Sequence, residues 1–198
     1  MKVIIIDNYD SFTYNIYNFI CIIFKKHKIS INDILVIKNN EKTLKEIIQT
    51  NPTHIIFGPG QGTVYRKEDI GISEELLDYF KDKIKILGIC LGHQLIYKYF
   101  GGNVIVANEI MHGKEDFAII NNESIIFKGL KDNIKIMRYH SQIGENISLP
   151  NNLEIIAKTN NIIMGIKHKK YDIWGVQFHP ESIGTPDGLK ILKNFLFN

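Results

Sequence analysis

From Ile84 to Gln94 an apolar, β-branched run passes through Gly88-Ile89-Cys90-Leu91-Gly92 and continues with helical spacing. No other segment constrains the fold so tightly. A strand that turns straight into a helix belongs to an α/β layer architecture, and glycines two residues either side of the turn let the backbone bend and another chain approach closely. The residue at the turn, Cys90, stands clear of its neighbours. Free amides at the helix start favour negative charge on its sulfur. A free thiol, with a pKa of about 8.5, is mostly protonated at neutral pH, so a useful nucleophile also needs a base. Taken alone, the pattern fits a buried structural cysteine equally well.

The rest of the first half repeats the alternation. Val3 to Ile6 suits a strand buried on both faces. Phe12, Ile16, Phe19, Ile20 and Ile23 then recur at helical spacing, with Asp10 or Ser11 expected as the cap. Strands are expected at Ile34 to Ile37, His54 to Phe57 and Ile84 to Ile89, and helices at Glu41 to Gln49, Ser73 to Phe80 and Leu95 to Phe100. Together these predict an open, mostly parallel α/β sheet flanked by helices, with functional loops at the carboxyl ends of the strands.

Beyond Asn103 the character changes. Short branched runs alternate with Asn, Gly and Pro turns as far as Ile166, which predicts antiparallel strands and hairpins. A closing helix carries Leu189, Leu192, Phe195 and Leu196 after the start signal Thr185-Pro186-Asp187. No boundary, repeat or low-complexity stretch interrupts the chain, and one domain over residues 1–198 is expected.

The segment Ile173 to Ser182 supplies a partner for Cys90: a second apolar strand ends in His179-Pro180-Glu181. Pro180 keeps this segment out of helix, and residues two apart in an extended chain project to the same side. Glu181 can then hold one imidazole nitrogen of His179 and leave the other for a proton from Cys90. A surface pair or two metal ligands remain as other readings of His-x-Glu, although further ligands at short spacing are absent. His93 is expected to pack or hydrogen-bond in the helix after Cys90, and His27, His54 and His168 to be solvated.

Twenty-four basic and twenty-one acidic residues give a formal charge of +3. The charge is spread along the chain, which argues against nucleic acid as a partner. Hydrophobic residues make up 44%, enough for a core without disulfides, and the two cysteines do not form a disulfide framework. A reactive thiol suits the cytoplasm. Lys2 to Asp7 enters a strand directly, so no signal peptide is expected, and no apolar run approaches the ~20 residues of a membrane span.

Six motifs occur in order: Asn8-Tyr9-Asp10-Ser11-Phe12, Gly58-Pro59-Gly60, Gly88 to Gln94, His112-Gly113-Lys114, Tyr139-His140-Ser141 and Gly175 to Glu181. With them the chain resembles the class I glutamine amidotransferases over essentially its whole length. Its first and fourth motifs are similar to those of the small glutaminase components of anthranilate synthase and aminodeoxychorismate synthase. The resemblance implies a flavodoxin-like class I glutamine amidotransferase fold, with antiparallel strands added in the second half. It implies L-glutamine as substrate, Cys90, His179 and Glu181 as catalytic residues, no cofactor and no metal. Backbone amides of Leu91 and Gly60 are implied as oxyanion donors, with Gly58 and Pro59 in the same loop. Gln94, Ser141 and Gln142 are implied to hold the glutamine head group. It implies a large chorismate-binding synthase as partner, met by Asn8, Tyr9, Asp10, Ser11, His112, Gly113 and Lys114. Two positions depart from the family pattern. Gln142 replaces the usual apolar residue, and Gly62 stands where proline is frequent, which is expected to loosen that loop.

Overall fold

The computed structural model describes residues 1–198. Its first half comprises β1 (Val3–Asn8), α1 (Thr13–Lys26), β2 (Ile34–Lys38), α2 (Leu44–Gln49), β3 (His54–Gly60), α3 (Lys67–Ile70), α4 (Ser73–Phe80), β4 (Lys85–Ile89) and α5 (Leu91–Tyr99). Five strands follow, β5 (Val104–Ile120), β6 (Asn133–Gly144), β7 (Leu153–Thr159), β8 (Ile162–His168) and β9 (Ile173–Val176), and α6 (Gly188–Phe197) closes the chain. All nine strands form one sheet in the order β2-β1-β3-β4-β9-β8-β7-β5-β6. Pairing is parallel from β2 to β9 and antiparallel from there to β6.

Alternation along β1 explains the layers. Val3 and Ile5 join a core with Ile16 and Ile20 of α1 and Ile191 and Phe195 of α6. Ile4 and Ile6 point the other way, into a core with Ile47 of α2, Leu76 and Leu77 of α4 and Leu95 and Ile96 of α5. Both faces are therefore covered. Fully burying one such isoleucine contributes roughly 1.5–3 kcal/mol, so this unbroken apolar run holds the sheet's centre firmly.

Several expectations are corrected in detail. The residue capping α1 is Phe12 rather than Asp10 or Ser11. Asp10 acts one step earlier: its Oδ1 accepts from the Phe12 amide at 2.8 Å. The helix expected from Glu41 begins only at Leu44, because Thr43 caps it and Glu46 reaches back to complete a capping box. His54 and His168, expected in solvent, are only 6% and 4% exposed. His54 begins the buried strand β3 and packs edge-on against Phe195 at 5.4 Å, while His168 stacks on Tyr171 at 4.4 Å. The polar turn Asn51-Pro52-Thr53 before His54 and the lysines Lys167 and Lys169 beside His168 concealed both, because a polar or charged neighbour in the chain does not fix which way the imidazole itself turns.

Candidate active site

The register Ile89↔Val176 between β4 and β9 brings the two chemical motifs together. Cys90 and Gln177 each follow the last paired residue of their strand, and the Cys90 amide donates to the Val176 carbonyl at 2.9 Å. Cys90 has φ 51° and ψ −101°, a conformation disfavoured for any side chain and of the kind that concentrates at functional sites. The neighbouring glycines permit the turn. A Cβ on Gly88 would lie 2.3 Å from the Gly92 carbonyl oxygen, and one on Gly92 would lie 2.1 Å from that of Phe57.

Cys90 opens a cavity of about 390 Å³ at the carboxyl ends of the parallel strands. One wall is the glycine loop Pro59 to Gly62; Tyr139 to Gln142 of β6 form another, and Phe12, His112 and His179 complete the rim. Strand β6 lies at the sheet's far edge, yet it folds back over the site: the His179 amide donates to the Met137 carbonyl at 3.0 Å. Gln94 Nε2 donates to the Gln142 carbonyl at 2.9 Å, and Gln142 Nε2 donates to the Gly62 carbonyl at 3.0 Å. Gln142 thus joins two walls through its side chain and receives Gln94 through its backbone. Gly62 has φ +95°, which proline cannot adopt, so the departure from proline goes with a different loop backbone.

His179 and Glu181 are each 2% exposed, and Nδ1 of the imidazole lies 2.6 Å from Glu181 Oε1. Nε2 has no hydrogen-bond partner. Burial pulls the His179 pKa down, but the Glu181 carboxylate and the Cys90 sulfur outweigh it and hold it well above the ordinary imidazole range. This favours an imidazolium beside the thiol. Tyr139 and Phe12 pack against the ring at centroid distances of 5.1 and 5.9 Å, which fixes its plane. No group of three or more His, Cys, Asp or Glu side chains has the arrangement of a metal site.

Of the residues singled out in the sequence, Cys90, His179, Pro59, Gly60, Gln94, Ser141, Gln142, Asp10, Ser11 and His112 line this cavity. Glu181 stands behind His179. Leu91 is buried beside Gly60, where a Cβ would come within 2.8 Å of Leu91 Cδ2. Gly58 does not reach the lining; its carbonyl accepts from Asn8 Nδ2 at 2.9 Å. Asn8 itself is buried and also accepts from Asn39, so its side chain is spent inside the fold, whereas Tyr9 and Ser11 are exposed. Gly113 and Lys114 lie outside the cavity at a break in the β5–β6 register, and Lys114 pairs with Glu109 at 2.7 Å.

Residues without an assigned role in the sequence also gather here. His140 lines the cavity, and its Nε2 accepts from Arg138 Nε at 3.1 Å. Burial, with Arg138 close by, pushes its pKa down to about 3. Phe12 and Tyr139 were visible as motif members, but nothing in the sequence marked them as neighbours of His179. Gln177 lies against Cys90.

A family model for class-I glutamine amidotransferases matches residues 4–198. The bifunctional protein TrpGD of Thermotoga maritima is 46% identical over 98% of this chain, which spans 32% of that relative. Anthranilate synthase component 2 of Saccharolobus solfataricus is 40% identical over 98% of this chain and 96% of its own length. A crystal structure of a glutamine amidotransferase from Thermotoga maritima, 18% identical, superposes with a TM-score of 0.77 over 99% of this chain and 96% of that one. That last likeness establishes the α/β fold. The extent of the family match, together with relatives this similar along their length, places the chain among the class I glutamine amidotransferases.

Proposed function

We propose that this chain is the glutaminase component of an anthranilate synthase, in which Cys90, His179 and Glu181 release ammonia from L-glutamine for a chorismate-using synthase. The observation that carries the reading is the meeting of Cys90 and His179 in one cavity, with Glu181 holding the far nitrogen of the imidazole. The imidazolium, favoured by the raised pKa of His179, stabilises negative charge on the Cys90 sulfur as it attacks the side-chain carbonyl carbon of glutamine. The tetrahedral oxyanion is met by the backbone amides of Leu91 and Gly60; losing one such donor costs about 100- to 1,000-fold in rate. His179 gives its proton to the departing ammonia and then takes one from the water that hydrolyses the glutamyl thioester. Glutamate leaves and the thiol is restored. Gln94, Ser141 and Gln142 hold the head group of the substrate, and Gly58 and Pro59 shape the loop that carries Gly60.

A sealed path to a partner makes chemical sense, because ammonia in neutral water is mostly protonated and then no longer nucleophilic. Asp10, Ser11 and His112 line the cavity, and with Tyr9, Gly113 and Lys114, their neighbours in the chain, they form the surface offered to the synthase. The names of the curated relatives favour anthranilate synthase over aminodeoxychorismate synthase. Coupling through such a surface typically changes activity roughly 5- to 150-fold.

The test is to pair the purified chain with the large synthase of the same organism and identify the aminated chorismate product made from glutamine. Cys90→Ser should abolish glutamine-dependent synthesis and spare synthesis supplied with ammonium salt. Loss of both in an assembled complex defeats the proposal. An aminodeoxychorismate product reassigns the partner, and full glutaminase activity without any partner points to an autonomous γ-glutamyl hydrolase.

A further inference from the structure

Gln177 is fully buried immediately after β9, and its backbone amide is tied to the Met164 carbonyl at 3.0 Å. Its side chain lies between two residues already placed in the site. Oε1 faces Gln94 Nε2 at 3.2 Å, and Nε2 faces Cys90 Sγ at 3.7 Å.

Hydrogen-bond arithmetic sets the direction of this chain. The Gln142 carbonyl can only accept, so the end of Gln94 lying 2.9 Å from it is the amide nitrogen. That same nitrogen faces Gln177, so the near atom of Gln177 is its acceptor oxygen. The amide nitrogen of Gln177 is left to face the sulfur, which it meets as a donor. Both hydrogens of Gln94 are used, and its Oε1 remains for whatever enters the cavity. A donor at sulfur favours the thiolate over the thiol, and its carrier is buried in surroundings that weaken no electrostatic contact by solvation.

We propose that Gln177 is a positioning residue for the nucleophile: it holds Cys90 Sγ through an N–H···S contact and links it to the glutamine-sensing amide of Gln94. The inference rests on the glutaminase reading above and goes beyond it, because substrate recognition and nucleophile activation then share one hydrogen-bonded chain from Gln142 to Cys90. Gln177 acts through Cys90 and Gln94 rather than on the substrate itself.

The test compares Gln177→Met, similar in length and lacking a donor, with Gln177→Glu, which keeps an acceptor for Gln94 and sets a negative charge beside the sulfur. Iodoacetamide is the probe, and alkylation of Cys90 in the full chain is followed by mass spectrometry across a pH series. Cys21 in the same digest reports on the fold. The other titratable groups around the cavity, Asp10, His112, His140 and His179, are kept in both variants, and the Gln177→Met change adds no charge beside them. Alkylation of Cys90 at neutral pH should fall roughly tenfold in Gln177→Met and further in Gln177→Glu, with the profile moved to higher pH and Cys21 unaffected. Glutamine turnover should fall in kcat more than it rises in KM.

Profiles that superimpose on that of the unaltered chain overturn the proposal, even where turnover falls. A change in KM alone also overturns it, because Gln177 would then serve only to shape the pocket. Should Gln177→Met fail to fold, the nearly isosteric Gln177→Glu decides by the same profile. Alkylation requires neither glutamine nor a partner, so a shifted profile in a chain that shows no glutaminase activity even when paired with its synthase would sink the proposed function and leave this inference standing.

Discussion

Two cavities of similar size lie at opposite ends of the parallel strands, about 390 Å³ at the carboxyl ends and about 440 Å³ at the amino ends. Each has a buried histidine in its wall. At the carboxyl end, Glu181 holds His179 well above the ordinary imidazole range against the pull of burial. At the amino end, burial and the nearby Lys85 charge push His54 down to about 4. The residue type and the depth are alike; the neighbouring charge is opposite. Lysines crowd the amino-end cavity, but Lys81 binds Asp78 and Tyr99, Lys83 binds Asp82 and the Tyr79 carbonyl, and Lys85 binds the chain end at Asn198. These lysines are answered, and of the histidine only Nε2 of His54 is left without a partner. At the other end Nε2 of His179 and Oε2 of Glu181 are left without partners. Volume therefore says little about chemistry here, and unspent hydrogen-bonding capacity says more.

The sharpest break of this comparison is an exchange of losses. His179→Ala should remove almost as much glutaminase turnover as Cys90→Ser, since members of such a constellation act as a unit. His54→Gln should leave turnover at saturating glutamine unchanged. Steady-state glutamate release from both variants, assayed with the synthase, checks this, and equal losses at the two ends would erase the distinction.

Glu181→Gln should be about one to two orders of magnitude less damaging than His179→Ala, because it removes orientation and charge but not the proton acceptor. The variant should also lower the pH at which His179 loses its proton. A pH–rate profile unchanged by Glu181→Gln would mean that burial alone governs both histidines.

Stability should respond to acid through the depressed group. His54 and His93 are pushed down to about 4, and His140 to about 3, while the unfolded chain titrates near 6.5. Between those values the unfolded state binds more protons, so their contribution is present above pH ~6.5 and is lost as pH falls towards 4. For fully buried His93, whose shift comes mainly from burial, the loss amounts to about 3 kcal/mol. His179 runs the opposite way, contributing most below ~6.5 and losing its contribution as pH rises through its raised pKa. Urea unfolding across this range should show the acid loss.

The smallest effect sharpens the same point. His54→Gln should flatten part of that acid slope, by about 1–3 kcal/mol, and leave the carboxyl-end cavity untouched. An unfolding midpoint in Gln-substituted protein that keeps the full slope would assign the acid response to the carboxyl-end histidines alone.

Much of this molecule is legible along the chain. The β-branched run Val3 to Ile6, the elbow around Cys90 and the strand ending at His179 are local patterns, and periodicity reports them faithfully. The hydrogen bond between His179 and Glu181 spans two residues, so it too could be argued from an extended backbone. The boundaries were less legible: Thr43 and Glu46 shortened α2 by a cap that competes with propensity, and Asp10 spent its side chain ahead of α1.

By itself, then, the sequence determined the alternation of strands and helices, the change to antiparallel strands after Asn103 and the residue types able to carry the chemistry. Tertiary structure alone decided that Cys90 meets His179 and Gln177, through the pairing of β4 with β9, and that β6 returns from the sheet's edge to close the cavity. It also decided that His54 and His168 are buried. The reason is physical: local patterns depend on steric and capping preferences within a few residues, whereas these contacts depend on which distant strands share an edge and in what register. Titration divides the same way: the charge that Glu181 lends His179 comes from two residues along the chain, whereas the burial that depresses His54 comes from what packs against it.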